Sequence, residues 1–174
     1  DARLPRADYN RLYNYDKETD SVLDKEDPNY KEYDSYQYEL GRKVPLIIWS
    51  KDMDKDLVGE YSNVMSMYDV EPTLGNMLGY SNEYALGHDI FDIKDQNIVV
   101  FPNGNWLTND VYYNSQKEEY LSLTDKPVTE EEIKKNNEYA SQLLDVSNDI
   151  IVFDLLKKDQ TEKNKVIQAQ EKGN

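Results

Sequence analysis

Apolar residues between Asp69 and Gly79 fall on one helix face: Val70, Leu74, Met77 and Leu78 recur at i, i+4, i+7 and i+8. The flanks agree with a helix. Asp69 stands where an N-cap carboxylate accepts the free N–H groups of a first turn. Pro72 falls in that turn, where a missing N–H costs little, and Gly79 supplies a stop. The spacing therefore predicts a short helix packed on a core by one face. Further on, Thr129-Glu-Glu-Glu132 has the form of a capping box. Ile133, Ala140, Leu143 and Leu144 then supply the stripe of a helix ending near Asp145. Ser147 is placed to cap a second short helix through Leu156, while the run 150–153 (IIVF) reads equally as a strand; periodicity leaves both open. From about Lys157 the chain is Lys, Gln, Glu and Asn with few apolar residues, and a frayed or disordered end is expected.

Residues 44–49 (VPLIIW) form a short apolar run with β-branched members, the pattern of a buried strand. Pro45 is tolerated at the start of such a strand, and Arg42 and Lys43 read as its solvated lead-in. Residues 98–107 (IVVFPNGNWL) predict a hairpin in which Asn103 and Gly104 provide the positive φ angles of a tight turn. The runs 111–113 and 119–123 extend it into a small antiparallel meander, with turns at Asn109-Asp110 and at 114–117. Near the start, Tyr9, Leu12 and Tyr13 have helical spacing, predicting a helix near 8–13. A long irregular excursion to about residue 43 follows. It carries Tyr15, Tyr30, Tyr33, Tyr36 and Tyr38 among charged residues and is divided by the turn signal Asp27-Pro28-Asn29. A loop of that length is usually functional or mobile; an active-site rim and a solvated flap pinned by tyrosines both fit.

Composition narrows the function classes. At 174 residues the chain is long enough for one domain with a real core. No apolar run approaches the ~20 residues of a membrane helix, and no signal peptide is visible. Because the chain begins with Asp1 rather than Met, a processed product, an excised piece or a fragment is expected. A formal net charge of −15 argues against nucleic acid or anionic membrane as a direct partner. The absence of cysteine excludes disulfides and thiolate metal sites, and suits a Gram-positive surface as well as a cytoplasm. Fifteen tyrosines against three phenylalanines predict a half-buried shell with hydroxyls in water. A surface of Tyr, Asp and Asn also suits sugars or polyols.

Two acidic stretches invite a calcium-loop reading and fail it. Such a loop needs Gly at its sixth position and Glu at its twelfth, to turn sharply and close the site. The stretch from Asp52 has Leu57 and Asn63 there, and the stretch from Asp16 has Ser21 at the sixth. Both read as solvated loops. No phosphate-binding Gly-rich loop and no Ser-His-Asp set is present. The single histidine, His88, between Gly87 and Asp89, reads as structural or solvated rather than as a ligand.

The residues Asp69-x-x-Pro72-Thr73-Leu74, followed after a short linker by Gly87-x-Asp89-Ile90-Phe91, carry a resemblance. The pattern resembles the sulfatase-like branch of the alkaline phosphatase superfamily and, more narrowly, the extracellular catalytic domain of the lipoteichoic acid synthase family. The hairpin Phe101-x-Asn103-Gly104-x-Trp106 is similar to one in that family, and Asp1-Ala2-Arg3 resembles a segment that follows a Gly-Asp-His metal-binding turn in one subgroup. The likeness covers about residues 1–125 well and the remainder loosely.

The resemblance implies an α/β fold. The chain would be the C-terminal portion of an alkaline phosphatase/sulfatase-like domain, with a core strand at 44–49 plus a helix, a small antiparallel meander and C-terminal helices. Residues 1–125 would belong to the catalytic domain, 126–158 to a helical segment of the same domain, and 159–174 to a polar tail. The implied chemistry is phosphoglycerol transfer: a threonine attacks the head group of phosphatidylglycerol, a manganese or magnesium ion supports the attack, and the glycerophosphate passes to a growing lipoteichoic acid polymer. None of the catalytic residues or metal ligands is assigned to residues 1–174; the nucleophile and the Asp-His ligands would lie upstream. Asp1 and Arg3 would border the glycerophosphate pocket, with Arg3 offering a charge-assisted contact to phosphate.

By the same resemblance, the parent enzyme would be membrane-anchored, with this domain on the extracellular face of a Gram-positive-type bacterium. The chain alone is expected to be inactive and to bind manganese weakly. Its expected partner is the upstream part of the domain. A sheet without its neighbouring strands exposes an apolar edge, which predicts covering by a second copy of the chain or by rearranged segments. Two alternatives stand beside this reading: another sulfatase or phosphoesterase of the superfamily, and a non-catalytic acidic surface module that binds a cell-wall polymer.

Overall fold

A computed structural model describes residues 4–52, 54–94 and 96–172. The chain divides into two compact units, Asp1–Met53 and Asp54–Asn174. The fold is mixed α and β, with a four-stranded antiparallel sheet and C-terminal helices.

In the first unit, helix α1 (Arg6–Tyr13) leads into a two-stranded hairpin, β1 (Tyr15–Asp16) and β2 (Ser21–Val22), with Tyr15 opposite Val22. Helix α2 (Ser35–Leu40) follows. The excursion between the helices is ordered by two asparagines, Asn10 on α1 and Asn14 at its C-terminal cap. Asn10 accepts the N–H of Tyr33 through Oδ1 (2.6 Å) and donates through Nδ2 to the Tyr33 carbonyl (3.3 Å). Asn14 does the same for Lys31, at 2.7 and 2.9 Å. Four residues rise ~6 Å along a helix and two residues ~6.6 Å along an extended chain. Asparagines at i and i+4 therefore match the backbone of residues 31 and 33, and α1 behaves as the edge strand that segment lacks. Tyr33 then stacks on Tyr9 and Tyr13, with ring centroids 5.1 and 5.2 Å apart. Asp34 and Gln37 close a capping box at the start of α2.

Residues 44–49 are not a strand. They are irregular, no backbone–backbone hydrogen bond joins residues 44–50 among the described residues, and Ile47 and Trp49 are each 82% exposed. The expectation of a core strand is corrected here for a physical reason. A strand needs a neighbour to satisfy its N–H and C=O groups, and among the described residues none pairs with this run.

In the second unit, helix α3 (Val70–Leu78) precedes the meander β3 (Val99–Val100), β4 (Trp106–Leu107), β5 (Val111–Asn114) and β6 (Glu119–Ser122), in that spatial order. The register places Val100 opposite Trp106, Trp106 opposite Tyr113 and Tyr113 opposite Tyr120. The expected hairpin forms, but only Gly104 of the Asn103-Gly104 pair takes a positive φ (82°). The Gly104 N–H bonds to the Phe101 carbonyl and the Phe101 N–H to the Asn105 carbonyl, which is the longer turn that ends in one left-handed glycine.

Helix α4 (Glu130–Val152) lays Ala140 onto this sheet, in a core of Val100, Trp106, Val111 and Tyr113 bordered by Ile133, Leu143 and Leu144. Trp106 is fully buried, stacks on Tyr113 and donates its indole N–H to Asn137 Oδ1 of α4 at 2.7 Å. Thr129 caps α4 by accepting the Glu132 N–H, as its sequence predicts. The helix does not end near Asp145. It continues through Ser147 to Val152, so residues 150–152 are helical rather than a strand. After a reversal at Asp154 (φ 48°), α5 (Leu155–Lys172) covers the polar segment for which composition predicts fraying. Lys, Gln and Glu are good helix formers, and Lys163 pairs with Asp159 one turn before it at 2.9 Å. Among the described residues no helix is long and apolar enough to cross a membrane.

Candidate functional site

The motif residues that carry the resemblance converge on one buried polar node. A 3₁₀ turn, Met67–Asp69, runs directly into α3. Asp69 is fully buried, and its carboxylate accepts three hydrogen bonds: Oδ1 from the His88 N–H (2.8 Å), Oδ2 from the Ser66 N–H (2.7 Å) and from Asn97 Nδ2 (2.9 Å). This corrects its expected role. Asp69 does not cap α3 with its side chain; its own backbone (φ −80°, ψ −16°) is already helical, whereas an N-cap is extended. Its carboxylate instead ties three segments to one point.

Thr73, one turn along, is also fully buried. Its hydroxyl donates to the Asp69 carbonyl (2.7 Å) and accepts the Ile90 N–H (3.0 Å). Gly87 lies flat against the entrance to α3, and a Cβ there would sit 2.1 Å from the Tyr68 carbonyl oxygen. Asp89 accepts from Asn76 Nδ2 of α3 and from the Phe91 N–H. Gly79 ends α3 at φ 76°, and the Tyr80 N–H returns to the Gly75 carbonyl at 2.9 Å. The segment 87–91 is thus held against α3 through Asp69, Thr73 and Asn76. The apolar stripe contributes less than its spacing suggests: Val70, Leu74 and Met77 are half-buried and Leu78 is exposed.

Tyr68 joins the node to the sheet. Its hydroxyl donates to the Ile98 carbonyl (3.3 Å) and accepts the Val100 N–H of β3 (2.8 Å). Burial pushes its pKa up to about 12, opposed by the Val100 hydrogen bond and assisted by the nearby Asp69 charge. A second polar cluster stands at the β4–β5 turn. Asp110 accepts from Lys126 Nζ (2.9 Å), Thr124 Oγ1 (3.0 Å) and Gln96 Nε2, and the Lys126 hydrogen bond leads in holding its carboxyl below the usual range.

These arrangements bind the chain to itself. His88 places Nδ1 3.9 Å from Asp69 Oδ1 with its side chain half exposed, facing a carboxylate that already accepts three hydrogen bonds. Among the described residues no group of three or more His, Asp and Glu side chains could hold a metal ion. The donor set present therefore does not fit a Mn²⁺ or Mg²⁺ centre, which takes several oxygen ligands around one point. Asp1 and Arg3, the expected phosphate-side residues, lie outside the described residues. The described residues line open clefts. One of about 310 Å³ is lined by Leu4, Asp8, Arg11, Leu12, Tyr15 and Val22. One of about 390 Å³ runs between β5–β6 and α4, beside Tyr113, Tyr120 and Ile133.

Sequence reading misses Asn97, Tyr68, Asn10 and Asn14. Asn97 and Tyr68 act across about thirty residues and leave no local signal. Asn10 does leave one, since an asparagine inside a helix it disfavours, one turn before a second at the helix end, points to a side-chain task. No family model matches the chain, and no solved structure matches it.

Proposed function

We propose that this chain is the C-terminal scaffold of the catalytic domain of a phosphoglycerol transferase of the lipoteichoic acid synthase type, which builds polyglycerol phosphate from phosphatidylglycerol. What supports the reading is the node itself. Asp69, Thr73 and Asp89 accept backbone N–H groups of the segment 88–91, and Gly87 sits where a Cβ would meet the Tyr68 carbonyl, so the polar and glycine residues of the motif all serve the junction. In this reading the motif positions two segments and performs no chemistry. The threonine nucleophile and the divalent metal belong to a preceding part of the same polypeptide. Arg3 and Asp1 border the phosphate pocket.

The coding sequence immediately upstream tests this. An Asp-His pair next to Asp1 and a threonine nucleophile further upstream are expected. A cysteine or serine destined for formylglycine in the nucleophile position would make the parent a sulfatase instead. No open reading frame continuous with Asp1 would remove the proposal.

One observation favours a second reading, an acidic module that binds a cell-wall polymer. Tyr9, Tyr13 and Tyr33 form a stack on which Tyr13 stays 64% exposed, a flat aromatic face of the kind that packs on sugar rings. Binding of a glycan or glycerophosphate polymer by the isolated chain, lost in Tyr13→Ala, would favour it over the scaffold.

A further inference from the structure

We propose that the cleft between β5–β6 and α4 binds a primary alkylammonium group, carried by a small aliphatic amine or by a lysine side chain. The site lies wholly within the second unit and owes nothing to the transferase reading.

The sheet register supplies its aromatic wall. Trp106, Tyr113 and Tyr120 are directly opposed in turn across β4, β5 and β6, so the three side chains share one face of the sheet. Trp106 and Tyr113 close on each other, with ring centroids 5.3 Å and planes 11° apart. The ladder stops there. A directly opposed aromatic pair is near enough to touch, yet among the described residues no ring contact joins Tyr120 to Tyr113, and Tyr120 stays 52% exposed on the edge strand. Both phenol rings line the cleft of about 390 Å³, and Val128 and Ile133 add to its apolar surface. That volume is at the small end of the range for small-molecule sites.

The rim selects the occupant by charge. Glu118, Glu130 and Glu138 border the cleft against a single cation, Lys134, which lies 4.0 Å from Glu138. Among the described residues no cation stands within ion-pair distance of Glu118 or Glu130. The partial positive charge at the start of α4 is offset by Glu130, Glu131 and Glu132 in its first turn. On a chain of net charge −15, such a rim disfavours carboxylate and phosphate ligands. An ammonium matches both surfaces. Phenol rings offer it their negative faces, carboxylates accept its three N–H donors, and its alkyl stem has Val128 and Ile133 to lie on. A neutral sugar could stack on the same rings but would gain nothing from the net charge.

Calorimetric titration of the native chain with spermidine and with Nα-acetyl-lysine methylamide tests the site, with 1,4-butanediol as the uncharged probe. Saturable binding of at least one amine to a single site, and none of the diol, is expected; the tighter amine identifies the source of the ammonium. Tyr120→Ala should weaken binding about tenfold and Tyr120→Phe should retain it, because the ring face and not the hydroxyl makes the contact. Glu118→Gln, a change at an exposed position, should weaken it about threefold. A thermal unfolding midpoint near the native one establishes that each variant is folded, and should Tyr120→Ala fail that check, Tyr120→Phe and Glu118→Gln still decide. Amine binding that folded Tyr120→Ala and Glu118→Gln both leave unchanged would be general attraction of cations to an acidic chain, and would overturn the inference. So would equal binding of the diol, a disaccharide that binds more tightly than either amine, or no saturable amine binding up to millimolar concentration. None of these outcomes depends on the upstream nucleophile, so the cleft and the transferase reading stand or fall separately.

Discussion

The two tryptophans of this chain sit in sequence settings that look alike and in structural settings that are opposite. Trp49 ends the run VPLIIW and Trp106 follows the run IVVF by one turn, yet Trp49 is 82% exposed and Trp106 is fully buried. Both stretches are short, apolar and β-branched, so local propensity does not separate them. What separates them is the chain that follows. After Trp106 the meander returns β5 beside β4, and α4 covers the face with Ala140, Asn137 and Leu143. Among the described residues no segment pairs its backbone with residues 44–50. A strand is a relation between segments, and an apolar run states only half of it.

That contrast can be broken most forcefully at the tryptophans. Trp106→Ala should cost about 3–5 kcal/mol in denaturant unfolding, because a buried ring, its stack on Tyr113 and its bond to Asn137 are lost together. Trp49→Ala should stay within about 0.5 kcal/mol of native, since the side chain is 82% exposed. Equal losses would mean that Trp49 is covered in solution. The next largest effect belongs to the node. Gly87→Ala places a Cβ 2.1 Å from the Tyr68 carbonyl oxygen, and the turn must shift at a cost of about 3 kcal/mol. Thr73→Val leaves the buried Ile90 N–H without its acceptor and should cost about 1–3 kcal/mol by the same measurement.

Smaller effects appear in pH profiles of unfolding. The folded-state pKa of Tyr68 is raised from 10.0 to about 12, so the unfolded chain loses this proton first. Its contribution is present below pH ~10 and falls as pH rises toward 12. Tyr68→Phe should flatten that part of the profile, measured against the native chain. Asp110 has the opposite sign. Its folded pKa is depressed, so its contribution is present above the unfolded pKa of ~3.9 and is lost as pH falls through the folded value. Asp110→Asn should remove that acid-side slope.

What the sequence made legible follows the range of the signal. The cap at Thr129, the stop at Gly79, the helix at 8–13 and the order of the meander all rest on neighbours within a few residues, and all are present. The break expected near Asp145 is absent, because a capping residue such as Ser147 does not end a helix that the flanking turns continue. The node was legible as a pattern but not as a mechanism. The motif spacing marked Asp69 and Thr73 as notable. That Asp69 serves Ser66, His88 and Asn97 rather than its own helix needed the fold. That residues 44–49 form no strand was illegible for the reason Trp49 displays: no local signal records whether a partner exists.

The scaffold reading makes one measurement decisive. Diacylglycerol release from phosphatidylglycerol vesicles with added Mn²⁺ should be indistinguishable from background for the isolated chain of 174 residues, and should appear when the same chain is expressed continuous with its upstream segment. Sustained release by the isolated chain, abolished by a substitution within it, would contradict the account.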